Sequence, residues 1–354
     1  MNNDDLSKSL MKSGTVFTPE HIAGLFCELA DLKYDDVLFE PCLGTGALLR
    51  AGVNRLISMP ENEGKDITSQ IHAVEKDKNM YDEAIKSELL RDNSNVLYGD
   101  FFDVDTSDIK ERVKPTVGFI NPPYSLGSKA NPNLYELNFV ERLLDCLISE
   151  GKVIAIIPMS CAIGTKKEVS DIKKRILEKH TLDAVMSMPG NLFYPVGVCT
   201  CIMIFTAHKK HCVSEKSWFG YWKDDGFVIR KNKGRIDGGS WGKIKDKWVS
   251  AYRCRSEKAG FSVLKDVTGT DEWLAEAYME TDYSKLTQRD FEKTVADYLI
   301  YQFKTTLYKN MTPAAKSVDD KSDENESNTT TTKKEPDWAY MENYIKSLPF
   351  GSMM

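Results

Sequence analysis

The chain lacks a basic excess: 53 aspartates and glutamates outnumber 47 lysines and arginines, for a net charge of −6. A protein that grips a long stretch of nucleic acid unaided usually carries a basic excess or a dense basic patch, so that class is disfavoured. Long apolar runs are also missing. The longest, near Val198 to Ala207, is far too short to cross a membrane, and no membrane association is expected. None of the eight cysteines forms a CxxC pair, and the start, Met1-Asn2-Asn3-Asp4-Asp5, is polar and acidic without a signal peptide after it. A cytoplasmic protein with reduced thiols is the expectation. Cys199 and Cys201 lie near His208, His211 and Cys212, but they fall in the buried-strand pattern Val198 to Phe205. Small thiols in a core fit that pattern better than zinc ligands, so no metal is expected. There is no GxGxxG fingerprint, no P-loop and no internal repeat.

What is present is 354 residues of ordinary globular composition, 41% hydrophobic and 28% charged, enough for a catalytic domain and an accessory region. The stretch with the most chemistry is Asn121-Pro122-Pro123-Tyr124, which follows the apolar run Val117-Gly118-Phe119-Ile120. A strand ending in Asn and a stiff proline pair can present two fixed acceptors, the Asn side-chain oxygen and the Pro122 carbonyl. Such a pair suits a planar amino group with two N–H donors, and Tyr124 would offer a flat face to a planar base. A plain strand-ending turn is the competing reading of these four residues alone.

Upstream context favours chemistry. Phe17-Thr18-Pro19-Glu20 opens a helix, with Thr18 as N-cap and Pro19 at the first helical position. Val37 to Leu49 reads as strand, turn and helix, with Glu40 and Pro41 at the strand end and Gly44, Thr45 and Gly46 in the turn. An acidic strand end repels phosphate and suits an ammonium group. A second strand, from Ile71, ends at Glu75-Lys76-Asp77, where a carboxylate can accept both ribose hydroxyls. A helix over Met80 to Leu90 follows. A third strand, Val96 to Tyr98, ends at Asp100 and Phe101, which can meet an adenine amine and ring face. Ligands in open α/β sheets sit outside the carboxyl ends of the strands, and all four clusters fall there. Further strands at Lys152 to Pro158, Leu182 to Met188 and Val198 to Phe205, interleaved with helices at Leu134 to Ile148 and Lys166 to Lys179, predict a mostly parallel, doubly wound α/β sheet. The loop Pro189 to Pro195 carries Phe193 and Tyr194, which can stack on a flipped base or plug the loop.

Composition changes after residue 210, where all six tryptophans lie. Trp218 to Trp222, the turn Lys223 to Gly226 and Phe227 to Arg230 read as a β-hairpin. The basic cluster Arg230 to Arg235 reads as a solvated turn in preference to a phosphate contact. Thr287 to Lys304 reads as a helix. Residues 312–336 form a polar low-complexity linker, and 337–354 an amphipathic helix that either docks a partner or folds back. The expected division is therefore 1–35 as N-terminal segment and capping helix, 36–210 as catalytic domain, 211–311 as accessory region, then linker and terminal helix.

The ordered set Phe17-Thr18-Pro19, Glu40 to Gly46, Glu75, Asp100-Phe101 and Asn121-Pro122-Pro123-Tyr124 resembles the gamma-class DNA adenine-N6 methyltransferases. It looks most like the modification subunits of bacterial or phage-encoded type I, or related two-subunit type II, restriction–modification systems. Asn191 to Pro195 and Lys223-Asp224-Asp225-Gly226-Phe227 are similar to stretches of that family too. The resemblance implies a class I S-adenosylmethionine-dependent methyltransferase fold with S-adenosylmethionine as cofactor. Phe17, Thr18, Pro19, Glu40, Pro41, Gly44, Thr45 and Gly46 would surround its methionine part. Glu75 and Lys76 would lie at the ribose, Asp100 and Phe101 at the adenine, and Asn121 beside the methyl. Asn121, Pro122, Pro123 and Tyr124 would act on an adenine flipped out of double-stranded DNA, with Tyr124, Phe193 and Tyr194 stacking on it. Family members usually carry a helical domain ahead of the first motif, and stand-alone enzymes a recognition domain after the catalytic one. The short flanks here, with the acidic charge, imply a separate specificity subunit, accompanied in some systems by a restriction subunit, docked by the tryptophan-rich region or the terminal helix. Methyltransferases of RNA amino groups or protein glutamine share the Asn-Pro-Pro-Tyr pattern and are the alternative, with a non-catalytic cofactor-binding assembly subunit third.

Overall fold

The computed structural model describes residues 17–280, except 92, 129, 165, 213 and 232 and the side chain of 133, and residues 287–289, 292–293, 295–296 and 299–300. The linker, the terminal helix and residues 1–16 lie outside the described residues, as does much of the helix expected from Thr287. The chain divides into two compact units at Lys285, and the first contains the whole sheet and the helices packed on it.

In chain order the main elements are α1 (Glu20–Ala30), β1 (Leu38–Glu40), α2 (Ala47–Ile57), β2 (Ile71–Glu75), α3 (Lys78–Ala84), β3 (Val96–Tyr98) and β4 (Val117–Ile120). Then come α4 (Glu136–Cys146), β5 (Lys152–Pro158), α5 (Lys167–Lys179), β6 (Thr181–Ser187), β7 (Thr200–Thr206), β8 (Ser217–Tyr221), β9 (Phe227–Arg230), β10 (Gly234–Asp237), α6 (Trp241–Arg253) and β11 (Ser262–Lys265). Nine of these strands form one sheet in the order β11-β8-β6-β7-β5-β4-β1-β2-β3. The pairings from β5 through β3 are parallel, β7 runs antiparallel to both β5 and β6, β8 is parallel to β6, and β11 is antiparallel to β8. The sheet is thus mostly parallel and doubly wound, as its alternating strand and helix patterns predict.

Strands covered on both faces are largely apolar, and β5, β6 and β7 bury every residue except the half-buried Lys152 and Asp183. One core cluster joins α1, α2 and α6 to one face; the other joins α4 and α5 to the opposite face. The chain proceeds outward from β1 to β2 and β3, then returns to β4 on the other side of β1. That reversal opens a crevice at the carboxyl ends of β1 and β4, the usual ligand position in such sheets. Among the described residues, no helix is long and apolar enough to cross a membrane.

Three local expectations are corrected. The helix expected from Met80 to Leu90 ends at Ala84, and Leu90 is fully buried under the turn at Gly46. Burying that leucine requires the chain to leave the helical path. The hairpin expected from Trp218 to Arg230 does not form either: β8 joins the main sheet between β6 and β11, and β9 pairs with β10 instead. Finally, four rings of the tryptophan-rich stretch lie in the core and are not themselves presented at the surface. Trp218, Trp222, Trp248 and Trp273 are at most 4% exposed, and Trp222 stacks on Trp248 at 4.8 Å. Rings that large stabilise by burial when a new sheet edge needs covering.

Candidate active site

The four strand-end clusters meet. A cavity of about 480 Å³ is lined by Phe17, Thr18, Glu40, Pro41, Gly44, Thr45, Glu75, Lys76, Asp100, Phe101, Asn121, Pro122 and Pro123, all of them singled out by the sequence. Pro19, Gly46, Tyr124, Phe193 and Tyr194 do not line it.

Gly44 and Gly46 have φ of +54° and +79°, a region that costs most residues a Cβ clash, and this lets the turn after β1 double back into α2. The turn is held by carboxylates. Glu40, 2% exposed, accepts from the Leu49 N–H at 2.8 Å. Glu75 accepts from the Gly44 N–H at 2.6 Å and from the Asp77 N–H at 2.7 Å. Each carboxylate oxygen has two lone pairs, so capacity remains for a ligand hydroxyl. Lys76 reaches across to Asp100 at 2.6 Å, and Asp100 also accepts from the Phe102 N–H at 2.9 Å. Burial opposes the Asp100 charge, but Lys76 and the Phe102 N–H outweigh it and hold its pKa below the usual carboxylate range. Burial raises the Glu75 pKa, partly offset by its two backbone donors. Glu40 is pushed well above the ordinary value by burial, with Glu75 adding to it.

A carboxyl whose folded pKa lies above its unfolded one lets the native state bind more protons, so stability falls as pH rises from the ordinary carboxylate value toward the raised one. Glu40→Gln should flatten that decline and raise the thermal midpoint at pH 8 relative to wild type. Melting curves from pH 5 to 8 that run parallel for the two proteins would contradict it.

Asn121 sits where β4 ends, and its Nδ2 donates to the Thr18 hydroxyl at 2.9 Å. This revises the part expected of Thr18. Helix α1 begins one residue later, with Pro19 at the cap position and no side-chain cap, and Thr18 instead accepts from Asn121. Tyr124 is 5% exposed; its hydroxyl donates to the Ile156 carbonyl at 3.3 Å, and its ring meets Phe193 edge-on at 6.5 Å. Phe193 is equally buried, while Tyr194 is half exposed.

Several wall residues lie outside the sequence motifs. Met80, in the first turn of α3, and Phe139 of α4 line the cavity beside Phe102, with Phe102 and Phe139 edge-to-face at 4.7 Å. Arg142, also on α4, donates to the carbonyls of Phe101 at 3.1 Å and Phe102 at 3.0 Å, fixing the turn that presents Phe101. Phe102, next to Phe101 at the end of β3, was within reach of the motif logic. Phe139 and Arg142 were not, because only the crossing of α4 over the sheet brings them there. Among the described residues no group of His, Cys, Asp or Glu could hold a metal ion, and Cys201 is fully buried within β7.

The profile of the N-6 DNA methylase family matches residues 5–302. The chain belongs to that family. As an N-6 DNA methylase family member, it is 33% identical over 301 residues to the type II restriction enzyme and methyltransferase RM.BcgI of Heyndrickxia coagulans, covering 83% of this chain and 47% of that protein. It is 26% identical over 284 residues to the type I restriction enzyme MpnII methylase subunit of Mycoplasma pneumoniae, covering 70% and 49%. The chain thus spans about half the length of these relatives. Its fold is that of a type I restriction-modification system methyltransferase subunit from Streptococcus thermophilus, with a TM-score of 0.56 at 20% identity over 72% of this chain and 57% of that one.

Proposed function

We propose that this N-6 DNA methylase family chain transfers a methyl group from S-adenosylmethionine to the N6 amino group of an adenine flipped out of double-stranded DNA, as a modification subunit that takes its sequence specificity from a separate subunit. The observation that carries this reading is the convergence of Glu40, Glu75, Asp100 and Asn121, the ends of four adjacent strands, on one cavity. The donor set fits the cofactor. The carboxyl groups of Glu40, Glu75 and Asp100 supply hydrogen-bond acceptors for an ammonium and for hydroxyls, and Phe101 and Phe102 provide apolar faces for a purine.

Glu40 and the Gly44 turn would hold the methionine portion, Glu75 the ribose hydroxyls and Asp100 with Phe101 the adenine. When bound, the cofactor would supply an electrophilic methyl group on a sulfonium. Asn121 and the Pro122 carbonyl would accept the two hydrogens of the target amino group and so aim its lone pair at that carbon. Because Phe193 covers Tyr124 edge-on, a base stacked on Tyr124 requires the 189–196 loop to shift. No metal and no covalent enzyme intermediate is needed. The relatives named as a methylase subunit and as a joint restriction enzyme and methyltransferase support the DNA substrate over RNA or protein glutamine.

The test is transfer of labelled methyl from S-adenosylmethionine to duplex genomic DNA by the purified chain, with and without proteins encoded beside it. Label in N6-methyladenine, dependent on a neighbouring protein, is the expected result. Label in RNA or protein alone would overturn the reading, and activity of the chain by itself would remove the need for a specificity subunit.

A further inference from the structure

The segment Lys223-Asp224-Asp225-Gly226-Phe227 lies away from the cavity yet is built with care. Gly226 has φ of +80°, and a Cβ there would meet the Ser240 hydroxyl at 2.4 Å, so the turn demands glycine. The turn is braced by the Gly226 N–H donating to the Asp224 carboxylate at 2.8 Å and by the Trp222 indole N–H donating to the Asp224 carbonyl at 2.8 Å. It delivers Asp225, a carboxylate only 1% exposed, between a partner 204 positions away in α1 and one ten positions away on the adjoining β10. His21, in the first turn of α1, meets one oxygen at 3.1 Å, and Arg235, on β10, donates to the other at 2.5 Å. The His21 ring stacks on Phe227 at 3.9 Å. Arg235 also donates to the Leu192 carbonyl at 3.2 Å, in the loop that carries Phe193.

A buried charge costs stability unless paired, and a paired one fixes a direction that apolar contacts alone do not. Helix α1 is anchored along its length by Ile22, Leu25, Phe26 and Leu29, all at most 2% exposed. Ile22 already seats the first turn by apolar contact, and His21 beside it adds a directional polar tie to Asp225. That turn adjoins Thr18, which touches Asn121, while the loop held by Arg235 carries Phe193, which touches Tyr124. We propose that His21, Asp225 and Arg235 act as one clamp that positions the two flanks of the Asn121–Tyr124 segment, the cofactor side through Thr18 and the base side through Leu192 and Phe193. These are positioning residues, and the inference rests on the reading of the cavity as an S-adenosylmethionine site. Burial works against the Asp225 charge, and the two partners overcome it, holding its pKa below the usual range.

Calorimetric titration of S-adenosylmethionine into the full chain tests this. His21→Phe keeps a ring on Phe227 but cannot donate to Asp225, and should weaken binding about tenfold. His21→Gln can still donate and should restore affinity to within about twofold of wild type. Arg235→Gln should also weaken binding several-fold although it touches no cavity residue, and the double variant should be no weaker than the weaker single, because both break one device. Should Arg235→Gln fail to fold, the His21→Phe and His21→Gln pair decides alone, with melting curves as the folding control. Wild-type affinity in a folded His21→Phe, or equal losses in Phe and Gln, would overturn the clamp while leaving the cofactor reading intact. No binding by the wild type would overturn both.

Discussion

Asn121→Ala should lower methyl transfer by about a thousandfold, the upper end of what removing one aimed polar group costs an active site, while cofactor affinity stays within about threefold. The asymmetry follows from position. Asn121 lies at the end of β4, across the sheet's reversal point from Glu40, and is one residue of a cavity wall that the carboxyl groups of Glu40, Glu75 and Asp100 also line. Its planar amide is oriented by the Nδ2 contact to Thr18, which puts the acceptor on the other end of the group. Alanine deletes that acceptor and leaves the strand, the prolines and the carboxylates of β1, β2 and β3 in place. Single-turnover transfer of labelled methyl to DNA, measured beside calorimetric cofactor binding, separates the two effects. Turnover near wild type would end the amino-group role of Asn121, and a parallel loss of binding would make it a cofactor residue instead.

Glu75→Ala should act in the opposite sense, weakening S-adenosylmethionine binding by about a hundredfold. Two losses combine. The side chain is the expected ribose acceptor, and it already accepts from the Gly44 and Asp77 N–H groups, so its removal leaves two backbone donors in a half-enclosed site without their acceptor. Hydrogen bonds to a charged group are worth about 1.5–3 kcal/mol each, so losing the equivalent of one or two gives that factor. Glu75→Gln keeps one acceptor for Gly44 and should lose about tenfold. Equilibrium binding of both variants is the measurement, and affinity within about threefold of wild type for Glu75→Ala would remove Glu75 from the ribose position.

The chain's local order made the doubly wound sheet, its strand ends and most of the cavity wall readable in advance. Residues at strand ends are tied to their strands by one or two peptide bonds, so once the alternation of Val37–Phe39, Ile71–Val74, Val96–Tyr98 and Val117–Ile120 with helices is recognised, Glu40, Glu75, Asp100 and Asn121 must share one edge. Their chemistry is likewise local: carboxylates where a cation is expected, and Asn before two prolines where two acceptors are needed. Contacts between segments far apart in sequence had no such constraint. The pairing of β8 with β6 and β11 instead of β9 depends on which sheet edge is open once the first seven strands have assembled, and the burial of Trp218, Trp222, Trp248 and Trp273 follows from that choice. Arg142 reaches Phe101 across 41 positions, and His21 meets Asp225 across 204. Neither residue belongs to a pattern of period 2 or 3.6, so no window of sequence could have paired them. The sequence by itself determined the chemistry at the strand ends, because backbone connectivity carries it there. Only the tertiary structure decided what holds that chemistry in place, because a polar group buried between distant segments finds its partner only after the apolar faces on either side have packed.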